Sequence, residues 1–536
     1  RLVVLAACGL AYGCGDDAAG PSGPSPKEGP SSAGQLAGRV SEVDSAAVRG
    51  GDGPVAEVDQ ATGSAAGARD ALLGAVENVI IISVDTLRAD RLEPYGYDRE
   101  TSVNLEAFAQ RSFVFEEARS QSAQTAPAHA SLFTSEYPGA HRIINVHGHS
   151  PRIPKLPPGV STLAEVLSEA GIETAAFVSG GNLTGRMDMG RGFGVWNERL
   201  EDMSGRVDEA VRWLLAAERE DQRFFAFVHT YQVHAPYLPP AELVPSFVDP
   251  EYRGLLRPRL EHYLSLSTSE AWAAAVGPAY WEGMLDYTEE DVQFLSDLYD
   301  AEVAYADSEL RRMLSYLYKD GLLERTAVIV LSDHGEEFRE HGKYQHDQVF
   351  EEHLRVPLVV RLPPALEKQG YRGRIEAPVS LVDVAPTTAD LMGVDWGETG
   401  WSGRSLIPLM EGESPTWVAD PVFSELVVDP GPKTYRSVVW RGWKYIHAWQ
   451  EDKGYTWDWL FHLDADPGEA NNLFASEDPA AVKAREALQG QLAQHVAACR
   501  ERAARLGLPG EAPVDDAMRE LMIQLGYVGG EDGSDR

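Results

Sequence analysis

The run Asn78-Val79-Ile80-Ile81-Ile82-Ser83-Val84 limits what this chain can become more than any other stretch. It has the length of a strand, and its nearly unbroken β-branched sequence leaves no polar face to turn toward water. Such a strand must be covered on both sides, which places it in a parallel sheet layered between helices. Asp85 follows at once. In open α/β sheets ligands bind beyond the carboxyl ends of the strands, so an acid at that position has a role to explain.

The same punctuation recurs. Thr174 to Val178, Phe224 to His229, Ala327 to Leu331 and Val356 to Val360 read as further buried strands. Thr162 to Leu167, Val207 to Ala217 and about Glu289 to Tyr318 read as helices between them. Helix alternating with strand predicts an α/β sandwich around a mostly parallel sheet. Residues from about Pro239 to Trp281 keep no clean period and are expected to pass over the rim of the site. Beyond about Pro421 the rhythm changes to short strands at Ser437 to Trp440, Lys444 to His447 and Leu460 to Leu463, a small antiparallel sheet. Helices from Pro479 to Ala504 and Pro513 to Leu525 close the chain.

Composition narrows the partners. The chain has 47 Lys and Arg against 83 Asp and Glu, a net charge of −36, which repels nucleic acid and anionic surfaces. An anionic ester would need a metal or local cations to bind here. Cysteine is sparse, with Cys8 and Cys14 near the start and Cys499 near the end, so no disulfide framework holds the fold. Arg1 followed by Leu2-Val3-Val4-Leu5-Ala6-Ala7 reads as an export signal. Small residues before Cys8 and Cys14 resemble a bacterial lipoprotein box, with Cys14 leaving the better apolar length. The expected organisation is a signal and lipobox over 1–14, a Gly/Ser/Pro/Ala-rich disordered tether over 15–74, a catalytic domain over 78–415 and a C-terminal subdomain over 416–530. The protein is then exported and tethered to a membrane through a lipid rather than spanning it.

Four segments carry chemistry. In Gln124-Thr125-Ala126-Pro127-Ala128-His129, a hydroxyl stands at the mouth of a helix whose first turn tolerates Pro and whose orphan N–H groups favour an anion. Asp85 ends the first strand. His234, in His234-Ala235-Pro236-Tyr237, lies just past another strand. Ser332-Asp333-His334-Gly335-Glu336 puts an adjacent Asp and His at a third strand end, a pattern suited to metal ligation, with His341 and His346 close behind. His141, His147, His149 and His229 read as structural or rim residues.

Together, and in this order, these motifs resemble the sulfatases of the alkaline phosphatase superfamily. Val84-Asp85-Thr86-Leu87-Arg88-Ala89-Asp90 is similar to that family's first metal motif, and the segment at Thr125 to its nucleophile motif. His234 is similar to its central histidine, and Asp333-His334 to its second metal motif. The resemblance implies an alkaline-phosphatase-like sandwich with a small C-terminal antiparallel-sheet subdomain. It also implies a metal-dependent hydrolase or transferase of sulfate or phosphate esters.

Two departures refine that implication. The family's nucleophile motif carries a Cys or Ser that is oxidised to formylglycine and an Arg two residues after the Pro; here Thr125 and His129 stand in those places. Thr cannot become that aldehyde, so the resemblance implies direct attack by Thr125, as in Thr-dependent phosphodiesterases and phosphotransferases of the superfamily. The family's oxygen-only metal cage becomes Asp85, Asp333, His334 and the Thr125 oxygen, a set that favours one Zn²⁺ or Mn²⁺ over Ca²⁺. His234 is then the expected proton donor to the leaving oxygen, with His129 and His346 as contacts to the non-bridging oxygens. A phosphoester of a small molecule, lipid or glycan is the favoured substrate. A sulfuric ester hydrolase working without formylglycine and a catalytically silent binding protein are the alternatives. Nothing in the sequence bears on oligomeric state.

Overall fold

The computed structural model describes residues 76–145, 151–199, 201–220, 222–258, 287–413, 415–416, 420–428, 433–516 and 518–519. The expected signal and tether, His147, His149, the later part of the rim excursion and the end of the last expected helix lie outside them.

The main body is built on β1 (Asn78–Val84), β2 (Phe113–Phe115), β3 (Glu173–Val178), β4 (Val195–Glu198), β5 (Phe224–Thr230), β6 (Thr326–Leu331), β7 (Leu358–Arg361) and β8 (Gly373–Ile375). They form one sheet in the order β8-β2-β7-β6-β1-β5-β3-β4. Only β7 runs against the rest, pairing antiparallel with β6 and β2. The sheet is therefore mostly parallel, as the unbroken apolar runs require.

The central strand shows why both faces must be covered. Val79 and Ile81 enter one core, and Ile80, Ile82 and Val84 enter the other. The helices that matter are α1 (Thr125–Thr134), α2 (Pro138–His141), α3 (Met203–Arg219), α4 (Glu289–Lys319) and α5 (Pro479–Leu506). The first core takes Ala126, Ala130, Leu132 and Phe133 of α1. The opposite core takes Val207, Ala210 and Leu214 of α3, and Phe294, Leu298 and Leu310 of α4. Period 2 in the strand thus divides its side chains between two helical layers.

Helix α4 also carries a buried acid. Glu302 accepts hydrogen bonds from Gln232 Nε2 at 2.7 Å and from Leu238 N at 2.7 Å, and so pins the loop that bears His234. Burial pushes its carboxyl up to about 8 from an ordinary 4.5. A folded-state value above the unfolded one gives stability that is complete below about 4.5 and lost as pH rises toward 8. Glu302→Gln, which mimics the protonated acid, is expected to gain on the wild type by about 1.4 kcal/mol per pH unit across that window. Urea unfolding midpoints at several pH values check this, and a difference that does not change with pH would refute it.

The C-terminal sheet contains β9 (Val422–Val428), β10 (Lys433–Trp440), β11 (Trp443–Gln450) and β12 (Tyr455–His462), all antiparallel. Its strands are longer than the sequence suggests, and β9 carries no clear signal at all. The reason is a polar row, Arg436, His447 and Asp458, which lie opposite one another on one face and break the apolar pattern. Arg441 and Gly442, with φ of 54° and 74°, make the two-residue turn between β10 and β11, matching the strands' twist. The sheet is fastened to the main body by buried Lys444, whose Nζ lies 2.9 Å from both Glu351 and Glu469. Arg119 holds Glu351 from the other side at 2.8 Å.

Candidate active site

Strand register assembles the site. β1 lies between β5 and β6, with Ser83 opposite both His229 and Leu331. Two residues further on, Asp85 leaves β1 beside Asp333 leaving β6. Thr86 then turns in the left-handed region, φ 56°, a costly conformation for a β-branched residue. Neighbours hold it there. Tyr299 of α4 donates to Thr86 O at 2.8 Å, Leu87 N donates to Ser332 Oγ at 2.9 Å, and Thr86 N reaches Asp333 Oδ1 at 3.4 Å. Arg88 forks onto Asp90 at 2.8 and 2.7 Å and also donates to Glu336 O at 2.9 Å and Glu340 at 2.6 Å.

Thr125 is the first residue of α1, and Gln124 before it has extended backbone and makes no side-chain cap. The Thr125 hydroxyl instead donates to Asp85 Oδ2 at 3.3 Å and lies 3.4 Å from His334 Nε2. His334 turns Nδ1–H onto Gly335 O at 3.0 Å, which fixes the tautomer and leaves Nε2 facing the carboxylates. That nitrogen lies 3.5 Å from Asp333 Oδ2 and 4.0 Å from Asp85 Oδ1. Burial holds the imidazole neutral, with its pKa pushed down to about 3.

Charge in this pocket is unbalanced. Asp85 and Asp333 are both fully buried, and among the described residues their ion-pair partners are histidines only. Asp85 Oδ1 and Asp333 Oδ2 accept no hydrogen bond. Burial first, and then the neighbouring Asp333 charge, pushes the Asp85 carboxyl well above its ordinary range. Two buried carboxylates and a neutral imidazole, with one atom of each within 4.8 Å of the others, are a donor set that fits a divalent cation.

The remaining predicted residues fall into two places. His234 donates Nδ1–H to Ala235 O at 2.6 Å, and its Nε2 lies 3.3 Å from His346 Nε2. The His346 ring is 4.6 Å from that of His334, so this pair borders the cluster. His129 sits beneath it. Its Nδ1–H donates to Thr125 O at 2.9 Å, its Nε2 accepts from Ser83 at 3.1 Å, and Asp333 Oδ2 lies 3.3 Å from Nδ1. Both ring nitrogens therefore serve protein partners.

One residue joins the site unannounced. His229, read from sequence as structural or rim, is fully buried and donates Nε2–H to Asp85 Oδ2 at 3.1 Å. Its place in register with Ser83, one residue short of the end of β5, was the available signal. His141 is structural, bonded to Ser131 Oγ at 3.0 Å and to Ile143 N at 3.0 Å. A partner that orients a metal-binding carboxylate typically accounts for a 10–100-fold effect on metal affinity. His229→Leu is expected to weaken divalent-cation binding by about that factor, while His229→Gln, which keeps a donor, retains most of it. Competition with a chromophoric chelator measures both.

Comparison with known proteins identifies the family. The sulfatase family model matches residues 77–394, and the model for the C-terminal part of N-sulphoglucosamine sulphohydrolase matches residues 339–498. The chain is 26% identical over 452 residues to a choline-sulfatase of Rhizobium meliloti, an alignment that covers 75% of this chain and 83% of the relative. It is 32% identical over 203 residues to an N-acetylglucosamine-6-O-sulfatase of Bacteroides thetaiotaomicron, where only 37% of this chain and 35% of the relative align. A structure solved in complex with its substrate D-glucosamine-2-N,6-O-disulfate superposes with a TM-score of 0.61 at 19% identity, covering 80% of this chain and 98% of that one. The phosphonate monoester hydrolase of Agrobacterium radiobacter superposes with a TM-score of 0.60 at 21% identity, covering 82% and 99%. These two share the fold, an alkaline-phosphatase-like sandwich. With the family model matching more than half of the chain, from residue 77 to 394, the chain belongs to the sulfatase family of hydrolases.

Proposed function

We propose that the protein is a metal-dependent phosphoester hydrolase or phosphoryl transferase that uses Thr125 itself as nucleophile. The observation that carries this reading is the Thr125 hydroxyl. It stands at the mouth of α1, 3.3 Å from Asp85 and 3.4 Å from His334, facing the donor set instead of capping its helix. Asp85, Asp333 and His334 would hold the cation, with the Thr125 oxygen beside them; zinc or manganese suits the imidazole better than calcium does. A cation bound there supplies Lewis-acid polarisation of the ester and a lower pKa for the hydroxyl.

The chain's own groups account for the rest. Thr125 Oγ1 forms the new bond to phosphorus as the bond to the leaving oxygen breaks. The hydroxyl proton departs along the hydrogen bond to Asp85. Burial pushes His234 down to about 3 and keeps it neutral, so the His234 and His346 pair, one nitrogen facing the other at 3.3 Å, would hydrogen-bond the leaving oxygen while the proton given up by Thr125 neutralises it. Water or an acceptor alcohol then attacks phosphorus and releases Thr125 Oγ1. A sulfuryl-threonine has no such easy exit, because Thr lacks the second hydroxyl through which a formylglycine hydrate expels sulfate.

The match to choline-sulfatase over most of its length favours a second reading, turnover of sulfate esters without formylglycine. Assays with an aryl phosphodiester, an aryl phosphate and an aryl sulfate, each with Zn²⁺, Mn²⁺ or Ca²⁺, separate the two. Sustained turnover of a phosphoester, with the aryl sulfate giving at most a stoichiometric burst, is expected. Sustained aryl sulfate hydrolysis would establish the second reading, and no turnover on any ester would leave a binding protein on this fold.

We also infer that the mature protein is exported and lipid-anchored, with 15–74 as tether between the membrane and a catalytic domain over 78–415 that carries the 416–530 subdomain. Among the described residues no helix is long and apolar enough to cross a membrane. Loss of fatty-acid labelling in Cys14→Ser, but not in Cys8→Ser, is the expected result. A small-molecule, lipid or glycan ester is the substrate class this placement serves.

A further inference from the structure

A second group of ligand-type side chains lies outside the catalytic pocket. Glu425 sits in β9, and His495 and Cys499 lie one turn apart on α5. All three are buried, and they converge: His495 Nε2 is 3.3 Å from Glu425 Oε1, and Cys499 Sγ is 3.4 Å from His495 Nε2 and 3.9 Å from Glu425 Oε1. Ordinary Zn–S, Zn–N and Zn–O bond lengths give a tetrahedron with edges of about 3.3–3.6 Å. The three separations are close to one face of it.

Each donor is oriented by something else. Arg436 Nε takes the outer oxygen of Glu425 at 2.8 Å, leaving Oε1 for the centre, the kind of outer partner that metal-binding carboxylates carry. The His495 ring stacks on Phe423, centroids 4.0 Å apart and planes 8° apart, with the edge of Tyr137 at 4.6 Å. Gly139 of α2 closes over the group. Its N–H donates to Glu425 Oε1 at 3.2 Å, and a Cβ there would lie 2.7 Å from that oxygen and 3.1 Å from Cys499 Cβ.

We propose that Glu425, His495 and Cys499 hold a zinc-class divalent cation, with water in the fourth position. Thiolate, imidazole and carboxylate together select zinc among the common divalent ions. On binding, the cation takes the place of the Cys499 thiol proton, which passes to solvent. Neutral His495 coordinates through Nε2, and the two anionic ligands balance the ion's charge.

The position gives the site its work. Glu425 N donates to Gln121 O at 2.8 Å, in the segment that leads into Thr125, and Gly139 lies just beyond the C-terminal end of α1. A cation here ties α5 and β9 to both ends of the helix that carries the nucleophile. It is a staple, distinct in chemistry from the catalytic pocket, which contains no cysteine.

Cobalt distinguishes the two pockets, because only a thiolate gives a near-ultraviolet sulfur-to-cobalt charge-transfer band. The full-length protein, stripped and reloaded with Co²⁺, is expected to show that band, to keep it in Asp85→Asn and to lose it in Cys499→Ser. Zinc content of the Asp85→Asn protein should be about one equivalent and should fall to background when His495→Ala is added. If the variants fail to fold, the wild type still decides the matter: Cys499 should resist a thiol reagent until a chelator is added. Absence of the band, its survival in Cys499→Ser, or thiol reactivity indifferent to chelator would overturn the proposal. The trio would then be a hydrogen-bonded latch in which Glu425 accepts from His495 and Cys499.

Discussion

Thr125→Ala is expected to lower kcat on an aryl phosphodiester by roughly 10⁴-fold or more, the scale on which removal of a covalent nucleophile acts. The fold should survive, because the change removes one hydroxyl and one methyl group and the lost hydrogen bond to Asp85 costs about 1 kcal/mol. Thr125→Ser keeps an oxygen at the mouth of α1 and should retain turnover. The two variants together separate a nucleophile from a substrate-binding hydroxyl. Loss of mere ground-state binding would raise KM and spare kcat, whereas loss of the attacking oxygen lowers kcat itself. A rapid quench of the wild-type reaction should trap a phosphoryl group on the peptide containing Thr125. Undiminished kcat in Thr125→Ala would end the nucleophile assignment and with it the preference for phosphoesters.

Most of this pocket was legible because strand ends are legible. Asp85 and Asp333 each follow an apolar run that can only be a buried strand, and parallel register then brings the two carboxylates together. His334 came with Asp333. His229 obeyed the same rule, yet His234 five residues later drew attention away from it; what sequence could not give was that β5 is the immediate neighbour of β1. The placement of His129 was equally hidden. Its position in the nucleophile motif suggests a substrate contact, but four residues after Thr125 is one helical turn, and the ring folds back onto Thr125 O and Ser83. The convergence of Glu425 with His495 and Cys499 joins a weakly patterned strand to a distant helix, and no local signal announces it.

Asp333→Asn is the second substitution with a large expected effect, and its sign should reverse with metal. In the metal-free protein Asp85 and Asp333 are two buried carboxylates with no cation, and the Asp333 charge raises the cost of ionising Asp85. Neutralising one relieves that repulsion. Asn Oδ1 can still accept from Thr86 N and His334 N, which reach Asp333 Oδ1 at 3.4 and 3.0 Å. The metal-free variant should therefore be more stable than metal-free wild type, by about 1–4 kcal/mol for like charges at this kind of separation. With saturating Zn²⁺ or Mn²⁺ the order inverts, because wild type gains the binding free energy and the variant has lost a charged ligand. Metal affinity should fall by more than the roughly 10–100-fold expected for an outer partner such as His229, and ester turnover should fall with it. Thermal melts of both proteins with chelator and with metal measure the crossing. Equal shifts under both conditions would mean that Asp333 is a structural acid, and the donor set at the ends of β1 and β6 would then lose its claim to a cation.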